Sequence, residues 1–188
     1  MKSERIATLP AVEAAIWHEL ARAVRDKQHG WRIGVLATVD EQPDGPRPEA
    51  RNVVLRELDE DARELLIFTD ARSPKARQSQ AHPIGMLVLW APLLGWQLRL
   101  RVQLSMQTTG LAVSSRWARL KTTAAAADYL STLPPGSPLP TPAPACGSRE
   151  YFAVLTAGIG DMDWLELSAQ GHRRAAFSPG QEGRWIAP

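Results

Sequence analysis

Residues 96–104, WQLRLRVQL, alternate without a break. Trp96, Leu98, Leu100, Val102 and Leu104 fall on one face, and Gln97, Arg99, Arg101 and Gln103 on the other. A two-residue period this strict suits a β-strand with one buried face. It does not suit an amphipathic helix, whose apolar positions recur every three to four residues. Shorter apolar runs precede it: WRIGVLATV (31–39), ARNVVLREL (50–58), ELLIFTD (64–70) and IGMLVLWAP (84–92). EYFAVLT (150–156), MDWLELSA (162–169), HRRAAFSP (172–179) and GRWIAP (183–188) follow it. DEQPDGPRP and DEDAR, between the early runs, are turn chemistry rich in Asp, Gly and Pro. Short strands at hairpin spacing are the pattern of an antiparallel barrel or sandwich.

Three segments read as helices. In LPAVEAAIWHELARAVR (9–25), Val12, Ile16, Leu20 and Val24 form one apolar stripe, with Pro10 in the first turn. Ser73 and Pro74 suit the cap and first position of a short helix that ends before Pro83. Residues 114–133 read as a second main helix. Residues 134–148 then carry six prolines in fifteen positions, which predicts an extended, irregular segment. The expectation is a mainly β chain with flanking helices and six to eight strands. It forms a single domain over 1–188, with an N-terminal helical region (1–30) and an irregular segment (134–149).

The 188 residues are 44% hydrophobic, enough for a substantial core. No stretch approaches the ~18 consecutive apolar residues of a membrane span, and MKSERIATLP lacks the apolar region of a secretory signal. One cysteine, Cys146, excludes an internal disulfide, so a cytoplasmic setting is expected. Net charge is +2, a weak bias that argues against a dedicated nucleic-acid binder, although arginine-bearing strands with tryptophans could in principle stack bases. His18, His29, His82 and His172 do not fall at metal-ligand spacing, so no metal is expected. GxSxG, the P-loop and the dinucleotide-binding fingerprint are absent.

The arginines are the unusual feature. Only Lys2, Lys27, Lys75 and Lys121 are lysine, while Arg51, Arg56, Arg99, Arg101, Arg173 and Arg174 lie in strand-like runs. Arginine suits planar recognition of phosphate or carboxylate; equally, strand arginines can simply occupy a wet face. Arg51, Arg56, Thr69, Ser73 and Lys75 fall in one strand–turn–strand–turn–helix unit. Two hydroxyls, three cations and a helix N-terminus suggest a phosphate pocket. One objection is geometric: a strict two-residue period puts Arg51 and Arg56 on opposite faces unless twist or a bulge re-aims one of them.

The order of these pieces resembles the pyridoxamine 5'-phosphate oxidase family of FMN-binding split barrels. Arg51-Asn52-Val53-Val54-Leu55-Arg56 looks like that family's R-x-V-L-L-K. Ile67-Phe68-Thr69-Asp70 and then Ser73-Pro74-Lys75 look like its F-Y-T-N and S-R-K. Trp90 and Gln97 keep the spacing of its W and the Q of R-Q-V; Trp164 and Arg174 keep that of a later W and the R closing R-x-H-x-R, with His172 between them. Arg184-Trp185-Ile186-Ala187-Pro188 is similar to the closing R-L-A-P. The resemblance spans about residues 31–188. It implies FMN as cofactor, with Arg51, Arg56, Ser73 and Lys75 on the phosphate. Asn52 lies in the matched strand, and Val53, Val54, Phe68 and Thr69 would lie along the ring and its polar edge. Gln97, Trp164 and Arg174 would complete the site. It implies also a homodimer with the flavin at the subunit interface, and a small-molecule substrate near Tyr129, Ser137 and His172.

The departures fall mostly on the substrate side. Pro74 stands where the family has a phosphate-binding arginine, Leu133 where it has the arginine of Y-F-x-S-R-P-x-x-S, and Gln170 at the first arginine of R-x-H-x-R. The expectation is an FMN-binding flavoprotein oxidoreductase, with a true pyridoxamine 5'-phosphate oxidase or a non-catalytic FMN binder or sensor as alternatives. Without the resemblance, Trp164 reads as a core or interface aromatic, Tyr129 as packing, Gln97 as an exposed strand residue and His172 as a surface imidazole. No residue is singled out as acid or base.

Overall fold

The computed structural model describes residues 5–139, 147 and 149–188. Eight strands form one antiparallel sheet: β1 (Ile33–Gln42), β2 (Gly45–Asp59), β3 (Glu64–Asp70), β4 (Ile84–Ala91), β5 (Trp96–Gln107), β6 (Phe152–Glu166), β7 (Arg173–Phe177) and β8 (Arg184–Ile186). Neighbours run β3-β2-β1-β4-β5-β6-β7-β8, and β3 also pairs with β6. That second pairing closes β3, β2, β1, β4, β5 and β6 into a ring, with β7 and β8 continuing beyond it. The expected antiparallel split barrel is the architecture found.

β6 is what splits the barrel. Its first half, residues 152–158, pairs with β3, and its second half, 162–166, pairs with β7, while β5 runs beside most of its length. Gly158 to Asp161 is where the strand changes partner. Two glycines and an aspartate there look like a turn in sequence, so 150–156 and 162–169 read as separate strands. Instead the backbone stays extended because neighbours claim its polar groups on both sides. The Ile159 N–H, for one, donates to the Arg63 carbonyl at 2.7 Å. Turn chemistry also overreached at DEQPDGPRP, where only Pro43 and Asp44 separate β1 from β2.

The two faces of β3 and β6 carry different cores. Leu65, Ile67, Leu155 and Ala157 point into the ring with Leu36, Leu55, Leu87, Leu98 and Leu100, and α1 (Leu9–Ala23) adds Val12, Ile16 and Leu20 to that cluster. Leu66, Phe152 and Val154 point outward, beneath Val113, Trp117 and Leu120 of α3 (Leu111–Leu120) and beneath Tyr129. The predicted helix 114–133 is therefore broken: α3 ends at Leu120, and Ala124–Tyr129 forms a separate 3-10 segment. α2 (Pro74–Ala81) packs against β1 and β5. Of the proline-rich segment and Cys146, residues 140–146 and 148 lie outside the described residues. Among the described residues no helix is long and apolar enough to cross a membrane.

At the far end of β6, Glu166 ties the N-terminal segment to β7. It accepts from Arg5 Nε at 3.0 Å and from Arg173 Nε at 2.9 Å. Burial pushes this carboxyl up, but the donors from Arg173 and Arg5 outweigh it and hold it below the ordinary glutamate value. A carboxylate depressed on folding contributes stability above its unfolded pKa and loses it as pH falls through the folded one. Acid titration followed by circular dichroism should therefore show Glu166→Gln less stable than the parent near neutrality, with the gap closing below the usual glutamate range.

Candidate functional site

Arg51 lies on the ring-facing side of β2, opposite Leu36 of β1. Its guanidinium donates to the Leu36 carbonyl at 3.2 Å, to Thr38 Oγ1 at 2.5 Å and to Gln78 Oε1 of α2 at 2.9 Å. Thr38 Oγ1 in turn donates to Gln78 Oε1 at 2.7 Å. Thr38 and Gln78 are both buried, each only 3% exposed. The nearest ion pair of Arg51 is a long contact of 4.0 Å to the exposed Glu49.

Lys75, in the first turn of α2, is close enough for Arg51 to repel it. Burial first, and then the Arg51 charge, push the Lys75 ammonium below the ordinary lysine value. Lys75 Nζ donates to Thr69 Oγ1 at 2.8 Å and to Ser73 Oγ at 3.2 Å, and the two hydroxyls lie 3.3 Å apart. Asp70, whose field reaches Lys75, is engaged by Arg72, which donates from Nε and one terminal nitrogen at 3.1 and 2.7 Å. Among the described residues Lys75 has no ion pair. Two cations thus stand together at a helix start, with only neutral oxygens at hydrogen-bond distance and the acids Glu49 and Asp70 acting from farther off. A dianion of phosphate size fits this donor set.

Arg56 goes elsewhere. The β2–β3 register shifts between Leu55 and Glu57, yet this irregularity does not turn Arg56 toward Arg51. Arg56 donates to Tyr129 Oη at 2.9 Å and lies 5.8 Å from the Phe68 ring centre and 5.9 Å from that of Tyr129. These belong to the outer cluster beneath α3. The expected convergence of Arg51 and Arg56 on one group is therefore corrected: the two guanidiniums serve opposite faces of β2, as a two-residue period dictates. Arg56 Nε is buried without a partner among the described residues. Burial and the nearby Arg56 charge hold the Arg32 guanidinium below its ordinary value, while its own Nη1 donates to the Val24 carbonyl at 2.7 Å. Burial raises the Tyr129 phenol above its usual value, against the pull of Arg56.

The remaining expected residues divide by face. Asn52 and Val54 share the outer face with Arg56, whereas the Val53 side chain is buried in the ring and presents no surface to a ligand. Gln97 sits on the outer face of β5, across from the half-exposed Trp90. Trp164 is corrected to a core residue. It is fully buried, packed edge-on against Trp96 at 5.2 Å between ring centres, and its register partner is Ala175. Arg174 is paired with Leu165 and so faces the other way, where it grips Asp163 through two nitrogens at 2.9 and 2.7 Å. The three substrate-side residues are not brought together: Tyr129 meets Arg56, Ser137 lies in a turn closed to Pro134, and His172 Nδ1 accepts from the Ser168 N–H in the β6–β7 turn.

Thr38, Gln78 and Arg72 carry the site's geometry and drew no attention in the sequence. Arg72 stacks 3.5 Å from the Tyr151 ring centre and donates to the carbonyls of Ser131, Thr132 and Leu133, tying the Lys75 loop to the segment after Tyr129. Its sole sequence signal is the Asp-x-Arg spacing with Asp70. Among the described residues no group of three or more His, Cys, Asp or Glu could hold a metal.

Comparison with known proteins bears on this geometry. A family model described as pyridoxamine 5'-phosphate oxidase, FMN-binding domain, matches residues 4–108, a little over half of the chain. No curated protein matches. Among solved structures, a pyridoxamine 5'-phosphate oxidase-related, FMN-binding protein from Nostoc punctiforme is 29% identical, with a TM-score of 0.74 over 93% of this chain and 96% of that one. PhzG from Burkholderia lata, solved with tetrahydrophenazine-1-carboxylic acid, is 16% identical, with a TM-score of 0.69 over 97% of this chain and 94% of that one. A heme-binding protein from Mycobacterium smegmatis shares the fold at 17% identity and a TM-score of 0.53, over 85% of this chain and 57% of that one.

Proposed function

The chain belongs to the pyridoxamine 5'-phosphate oxidase FMN-binding domain family, and from that premise we propose that it is an FMN-dependent oxidoreductase acting on a small molecule as a homodimer. One observation carries the cofactor: Arg51 and Lys75 stand together with only neutral oxygens at hydrogen-bond distance. Leaving two such charges partly buried is costly unless an anion completes the site. FMN asks for a cationic end and an apolar wall.

In this reading Arg51, Thr69, Ser73 and Lys75 hold the phosphate, and Asn52, Val54 and Phe68 flank the ring. The flavin would supply hydride acceptance at its ring; the protein binds, orients and excludes water. Ile33, Val35 and Trp90 remain 54%, 39% and 42% exposed on the outer face of β1 and β4, an apolar surface suited to a second copy. Gln97 and Arg174 border that face and would complete the site there. Arg56 and Tyr129 form the substrate end. Since Leu133 and Gln170 supply no cation, the substrate is a molecule other than pyridoxamine 5'-phosphate.

Anaerobic mixing of FMN-loaded protein with NAD(P)H and a panel of small-molecule reductants tests the catalytic part. Bleaching of the bound flavin within the time of an ordinary turnover is expected. A flavin that stays oxidised with every reductant would make the protein a binder or sensor. Oxidation of pyridoxamine 5'-phosphate at about 1 s⁻¹ or faster would overturn the substrate assignment.

A further inference from the structure

We infer that Thr38 and Gln78 are positioning residues for anion recognition: a buried, uncharged clamp that aims the Arg51 guanidinium at its ligand without neutralising it. The inference rests on the reading of Arg51 as a phosphate ligand. Neither residue would touch the phosphate in this scheme.

The hydrogen-bond pattern admits one assignment of protons. Arg51 has only donors, so Thr38 Oγ1 must accept from it and pass its own proton to Gln78 Oε1. Gln78 Oε1 then accepts from both Thr38 and Arg51, which leaves its amide nitrogen free to donate on the side of Asp40. Two donors on one oxygen fix the orientation of the amide. The Leu36 carbonyl adds a third neutral acceptor.

Charge explains the choice of residue types. A carboxylate at position 78 would orient Arg51 as firmly but would cancel its charge. Neutral acceptors give direction and leave the positive charge, offset only by the more distant Glu49 and Asp40, for an incoming anion. Asp40 is the nearby acid that could have played that part; its field reaches Arg51, but among the described residues its carboxylate is engaged by Gln42 and Arg77 instead. Thr69 and Ser73 treat Lys75 in the same way, with hydroxyls in place of acids.

The test measures binding of FMN and of riboflavin, which lacks the phosphate, by flavin-fluorescence titration of the full chain. Thr38→Val and Gln78→Glu should each weaken FMN by about ten- to a hundredfold and leave riboflavin unchanged. Thr38→Ser should bind FMN as the parent does, and Gln78→Glu should melt no lower than Gln78→Leu. Equal loss for both flavins, or unchanged FMN affinity in both Thr38→Val and Gln78→Glu, would overturn the inference. Arg51→Met separates it from the reading beneath. If the parent favours FMN and Arg51→Met abolishes that preference while the clamp variants are silent, only the clamp is wrong. If the parent shows no preference for FMN, both fall.

Discussion

Lys75→Glu should lower FMN affinity by at least about a hundredfold, leave riboflavin affinity within a small factor of the parent, and leave the melting temperature of the ligand-free protein unchanged or higher. The direction on stability is the informative part. Lys75 is pushed below its ordinary pKa by burial and by Arg51, so in the empty site its charge is a liability to the fold. A glutamate there pairs with Arg51 and relieves the repulsion, while presenting a negative charge to the phosphate. A lysine kept only for packing would behave in the opposite way: its replacement would lower the melting temperature and affect FMN and riboflavin alike. Thermal unfolding and paired flavin titrations on one preparation distinguish the two.

The second large effect is in the core. Trp164→Ala should destabilise the protein by about 3–5 kcal/mol, the range for deleting a large buried aromatic. That is much of the roughly 5–15 kcal/mol that holds a typical domain together. Trp164 has no exposed surface and touches Trp96, and it lies in the cluster that α1 closes. Trp164→Phe should recover most of the loss. Denaturant unfolding measures both. A Trp164→Ala variant as stable as the parent but unable to bind flavin would make this residue a ligand contact and place the family-like reading above the packing.

The difference between Trp164 and Arg174 shows how far the sequence could be read. Their ten-residue spacing matched a family motif, and both were expected at the flavin. In an antiparallel pair, however, the register decides which residue shares a face with which. Here Leu165, not Trp164, stands opposite Arg174, so the two motif residues face opposite ways. Period-two logic was enough at Arg51 and Arg56, five positions apart, and the irregularity after Leu55 did not reverse it. The alternation from Trp96 to Leu104 likewise marked β5 without help from anything else. What stayed hidden were contacts between residues distant in sequence. Thr38 looks like any β-branched strand residue and Gln78 like any polar helix residue, yet they lie 40 positions apart and meet over Arg51. The unbroken β6 was hidden for a related reason. Its glycines argue locally for a turn, and only the switch from β3 to β7 explains why the backbone continues.

The central claim is that Arg51 and Lys75 form a phosphate site whose occupant is FMN. Titrating the purified protein with FMN, riboflavin and hemin in parallel tests it most directly. The expected result is one FMN per chain, bound at least about a hundredfold more tightly than riboflavin, with hemin unable to displace it. Equal affinity for the two flavins, or a hemin complex that excludes FMN, would contradict it.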